Sequence, residues 1–93
     1  MVILFLQLHL SFYEVFSLKE RRSILNSLRS RMKDKFNVSF AEASGQDNFR
    51  ETQIGIVSIS DDRTFLEALK EKIFSFLDSW PQFEVRVLNQ EFL

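Results

Sequence analysis

Seven of the twelve Lys and Arg residues crowd into residues 19–35: Lys19, Arg21, Arg22, Arg29, Arg31, Lys33 and Lys35. Only two acids, Glu20 and Asp34, share the segment, so it carries +5, while the other residues hold five bases against eleven acids, or −6. A cation cluster of this kind can hold anions, and the phosphates of RNA are the first class to consider. Ser17-Leu18-Lys19-Glu20 reads as a capping box that opens a helix. Lys19, Arg21 and Arg22 then stand at the end with partial positive charge, where an exposed cation is disfavoured by about 0.3–1 kcal/mol. At 100° per residue, Arg22, Arg29 and Lys33 form one stripe beside the apolar side, and Lys19 precedes it. These four are the candidate anion- or RNA-binding residues. Arg21 points towards the apolar side, which predicts burial with a carboxylate. The competing reading is internal: Arg21 and Arg22 pair with acids such as Glu14 or Glu42, and Lys33 and Lys35 serve the C-terminal carbonyls.

Other chemistry finds little support. His9 is the one histidine and there is no cysteine, so a metal site would need carboxylates gathered from elsewhere. No metal, cofactor or catalytic residue is expected, and the chain reads as a non-enzyme. Two glycines, Gly45 and Gly55, leave no phosphate-cradling loop. Phe12-Tyr13-Glu14-Val15-Phe16 is not the Gly-rich anion loop that acyl-phosphate hydrolysis requires. Gln46 and Asp47 are a candidate partner loop together with Phe49. Asp and Gln equally suit a turn, and Phe49 can either anchor a partner or fold back over the core.

Positioning these residues takes six elements in one domain, residues 1–93. Residues 2–10 alternate, with Val2, Leu4, Leu6, Leu8 and Leu10 on a core face and Ile3, Phe5, Gln7, His9 and Ser11 on the other. Residues 18–35 space Leu18, Leu25, Leu28 and Met32 as a helix does, and Asn37 is a suitable terminator. Val38 and Phe40 begin a short strand. Residues 53–60 form a third strand that is apolar on both sides, at Ile54 and Ile56 and at Val57 and Ile59. Ser60-Asp61-Asp62 offers N-caps for a second helix. Its stripe is Phe65, Leu66, Leu69, Ile73, Phe76, Leu77 and Trp80, and Pro81 ends it. Phe83, Val85 and Val87 alternate in a last strand. The order β-α-β-β-α-β is the split pattern of ferredoxin-like α+β folds, with a four-stranded antiparallel sheet and two helices on one face. The uncovered face should alternate polar. Ile3 and Phe5 stand there instead, which makes them candidate residues of a homodimer interface.

The chain resembles the YlxP-like family of small uncharacterised bacterial proteins, a domain of unknown function. The residues that carry the resemblance are Ser17-Leu18-Lys19-Glu20-Arg21-Arg22, Phe36-Asn37-Val38-Ser39-Phe40-Ala41-Glu42, Gln46-Asp47, Ile54-Gly55 with Val57 and Ser58, and Ser60-Asp61. Nearly the whole chain is covered. The resemblance implies a ferredoxin-like fold and a cytoplasmic bacterial protein whose gene often sits among translation genes, which hints at RNA or the ribosome. It brings no established catalytic residues. Where the family typically has Trp after Gln46-Asp47, this chain has Phe49.

Three functions follow as expectations. The first is a non-enzymatic RNA- or ribosome-associated accessory factor that uses the basic helix. The second is a homodimeric interaction module with no nucleic-acid binding. The third is a small-molecule regulatory domain of ACT type. No known RNA signature decides among them: Thr52-Gln53-Ile54-Gly55-Ile56-Val57 lacks the aromatics of an RNA-recognition motif, and the KH GXXG loop is absent. No stretch approaches the roughly 20 apolar residues of a membrane helix, so no membrane partner is expected.

Overall fold

A computed structural model describes residues 1–43 and 48–93. The elements are β1 (Val2–Phe12), α1 (Leu18–Lys35), β2 (Ser39–Glu42), β3 (Glu51–Ser60), α2 (Arg63–Asp78) and β4 (Phe83–Phe92). All strand pairs are antiparallel, in the order β2-β3-β1-β4. This is the ferredoxin-like α+β arrangement that the element order predicts.

The alternation of β1 sends Leu4, Leu6, Leu8, Leu10 and Phe12 under the helices, where all five are buried. Leu25, Leu28 and Met32 of α1 and Leu66, Leu69, Ile73 and Leu77 of α2 close over them. β3 resolves its ambiguity through register. Ile54 pairs with Leu8 and Ile56 with Leu6, so these two join the core. Val57 pairs with Phe5 and Ile59 with Ile3, so these two take the open face.

Several boundaries and positions differ from the sequence reading. β2 begins at Ser39 and runs to Glu42, and β3 begins two residues earlier, at Glu51. Phe36, in an extended conformation, caps α1 by donating its N–H to the Met32 carbonyl at 2.9 Å. Asn37 therefore does not terminate the helix; the left-handed residue among those described is Glu14, at φ 50°. Phe65 is exposed, since as the third residue of α2 it lies at the rim of the stripe. Asp62 is the N-cap of α2, accepting from Thr64 N at 2.9 Å and from Phe65 N at 3.3 Å.

β4 carries a bulge: Val87 pairs with Leu8, Asn89 pairs with Gln7, and Leu88 is extra. The alternation therefore changes phase, and Phe92 reaches the helix side, where the guanidinium of Arg63 lies 4.6 Å above its ring. Among the described residues, no helix is long and apolar enough to cross a membrane.

Candidate nucleic-acid interface

The start of α1 is built as its sequence dictates. Ser17 Oγ accepts from Glu20 N at 3.1 Å, satisfying one of the orphan donors of the first turn. The carboxylate of Glu20 reaches back to Phe16 N at 3.1 Å, one residue further than a standard capping box requires.

The seven bases of α1 separate into three groups. Arg21 is 1% exposed and lies against the end of β2, where its guanidinium donates to Glu42 Oε2 at 2.5 Å. The same carboxylate oxygen accepts from the hydroxyl of Thr52 on β3. The inward direction of Arg21 and its pairing with a carboxylate follow the helical angle.

The second group covers aromatic rings. Arg29 lies 5.5 Å from the Phe40 ring of β2. Arg31 lies 5.2 Å from the Trp80 ring. The ammonium of Lys35 lies 5.9 Å from the Phe36 ring and 5.6 Å from the Phe76 ring. These are cation–π distances. Lys35 thus covers aromatic rings at the helix end, where the internal reading placed it on carbonyls.

The third group is Lys19, Arg22 and Lys33, all exposed. Among the described residues none of these three has an ion-pair partner. Arg22 therefore does not take the internal pairing with Glu14 or Glu42. The steps from 19 to 22, 29 and 33 keep Lys19, Arg22, Arg29 and Lys33 on one side of α1. The contact of Arg29 with Phe40 places that side along the β2 edge.

The other sequence candidates lie apart from this stripe. Ile3 and Phe5 are half-buried on the open sheet face, beside Ile59 and Val57. Leu93 exchanges backbone hydrogen bonds with Ile3, 2.9 and 2.7 Å, which extends the apolar row across three strands. Gly55 sits without a bulge in an unbroken register, and the Phe5 ring edge would be 3.9 Å from a Cβ there. The far half of the face is polar. His9 Nε2 is 3.4 Å from Glu51 Oε2, and Glu84 and Arg86 of β4 line the same shallow depression. Phe49 packs against the core with the Arg50 guanidinium 5.6 Å from its ring. Gln46 and Asp47 lie outside the described residues. Among the described residues, no group of three or more His, Cys, Asp or Glu side chains is placed to hold a metal ion.

Residues 3–90, from the first core strand to the last, match the family described as "Protein of unknown function (DUF503)". The chain belongs to the DUF503 family. It is also 35% identical over 79 residues to "Uncharacterized protein YlxP" of Bacillus subtilis (strain 168), covering 85% of this chain and 86% of that protein. The DUF503 match takes in β1, the basic helix α1 and both partners of the Arg21–Glu42 pair. Sequence reasoning missed the aromatic contacts of Arg29, Arg31 and Lys35. Phe40, Trp80 and Phe76 are distant in the chain, and only packing brings them to α1.

Proposed function

We propose that this DUF503 protein is a non-enzymatic RNA-associated factor of the bacterial cytoplasm whose phosphate-binding surface is the β2-side stripe of α1. The observation that supports this most is the state of Lys19, Arg22 and Lys33. Three exposed cations stand in a row on one helix with no carboxylate against them among the described residues, and two of them oppose the helix dipole. Eleven of the thirteen acids lie outside residues 19–35, so a polyanion approaching α1 meets a field that is mostly positive. The stripe presents point charges, which position a nucleic acid without reading its sequence.

The test is a titration of ribosomal RNA fragments against the wild type and the Lys19→Glu/Arg22→Glu/Lys33→Glu variant. These positions are exposed, so the variant keeps its fold. The wild type is expected to bind weakly at low salt, and the variant is expected not to bind. Equal binding by both would exclude the stripe, and no binding by the wild type would remove RNA from the account.

A second reading is compatible with the first. The apolar row of Leu93, Ile3 and Ile59, with Phe5 and Val57 beside it, supports a homodimer through the open face. The row carries no charge at its centre, so two copies related by a two-fold axis meet without like charges opposed.

A further inference from the structure

On the other flank of α1, away from the phosphate stripe, α1 and α2 leave a groove of about 330 Å³ lined by Ser23, Ser27, Arg31, Trp80 and Pro81. Its floor is aromatic. Phe76 meets Trp80 edge to face at 6.0 Å, and on its other side meets Phe36 at 5.7 Å. Phe83 stacks on Trp80 at 5.7 Å and 21°, which fixes the plane of the indole. Arg31 lies over the Trp80 ring at the rim, and a neighbouring depression that shares Phe76 and Ser79 with the groove carries Lys35 over Phe36 and Phe76, with Lys72 of α2 beside them. The carboxylate at the far end, Glu71, is already engaged by Lys70 at 3.8 Å.

We infer that this groove takes single-stranded RNA, with an unpaired base stacked on Trp80 and the flanking phosphates held by Arg31, Lys35 and Lys72. The inference rests on the RNA reading above and narrows it to the single-stranded form. Aromatic surface under a cationic rim is what a single strand selects. Every base has a π-face to stack, and its backbone needs cations at intervals. A duplex keeps its bases inside and offers no such face. Trp80 is only 8% exposed, stacked by Phe83 and covered by the exposed Arg31, so a base reaches its ring by taking the place of the guanidinium. Arg31 then turns to the phosphate, and its charge remains at the site.

Trp80 is the one tryptophan in the chain, so its emission reports this groove alone. A uridine oligomer of about 12 nucleotides is titrated against the wild type, with anisotropy of the labelled RNA and Trp80 emission followed together. Saturating RNA is expected to quench Trp80. Arg31→Glu is expected to weaken binding about tenfold at low salt, because a phosphate contact is lost and a like charge replaces it. Lys19→Glu/Arg22→Glu should weaken affinity yet preserve the quench at saturation. Inorganic polyphosphate, which has charge and no bases, should leave the emission unchanged. RNA binding without a change in Trp80 emission, or equal quenching by polyphosphate, overturns the groove while the phosphate stripe stands. No RNA binding at all removes both.

Discussion

The guanidinium of Arg21 and the carboxylate of Glu42 form a buried ion pair, 2.5 Å apart, between the first turn of α1 and the last residue of β2. The two partners are not equally buried: 2% of the Arg21 side chain is exposed, against 22% of Glu42. Removing the carboxylate takes its Glu42 partner from a deeply buried cation. Removing the cation leaves an acid that is partly hydrated and still holds Thr52. Glu42→Ala is therefore expected to cost about 1.5–3 kcal/mol, the worth of a hydrogen bond to a charged group, and Arg21→Met less, because methionine refills the space with apolar volume. Urea denaturation of both variants decides this. An Arg21→Met cost equal to or above that of Glu42→Ala would refute the asymmetry.

The helix start should respond to its cap. Ser17→Ala leaves the Glu20 N–H without its acceptor and is expected to lower stability by about 1 kcal/mol. RNA affinity should not change, because Ser17 lies outside the cation stripe. An unchanged denaturation midpoint would mean that the cap contributes nothing.

How far the sequence carried can be followed through single residues. The alternation of β1 and the spacing of α1 were legible because each element has one apolar side. Arg21 was legible because its angle on the helix sets it against carbon. β3 was not, because Ile54 and Ile56 and Val57 and Ile59 are both apolar pairs, and only pairing with β1 decides which pair turns inward. Phe65 misled because a spacing rule cannot see where the sheet beneath a helix ends. The Trp80 groove was invisible, since Arg31 comes from α1, Phe76 from α2, Trp80 from the turn that follows it and Phe83 from β4.

Gly55 offers a test on the open face. A methyl group there would meet Phe5 Cε1 at 3.9 Å, an ordinary contact. Gly55→Ala should then stabilise the protein by about 0.4–1 kcal/mol, through loss of freedom in the unfolded chain. A thermal melt that moves downwards would show a constraint at this position beyond the Phe5 ring.

Self-association is measured directly. Light scattering at micromolar concentration is expected to give about twice the 11.0 kDa chain mass, and Phe5→Glu should return the protein towards the monomer. A wild-type monomer at high concentration would sink the dimer.

For RNA, the three phosphate contacts of the stripe alone set a slope of about −2 to −3 in log affinity against log salt, and the three cations beside Trp80 would steepen it to about −4 for a single strand. Replacing Lys33 alone with Gln should flatten it by about one contact. A slope near zero would show that charge is not what holds the RNA.

The extra residue Leu88 has a consequence for growth of the assembly. β4 is an outer strand of ten residues, long enough to template another strand along its free edge. The bulge interrupts that edge midway, so an incoming strand cannot keep one continuous ladder along it. Extension of the sheet along β4 is thereby disfavoured, and the pair proposed through the open face would close on itself and leave nothing to polymerise.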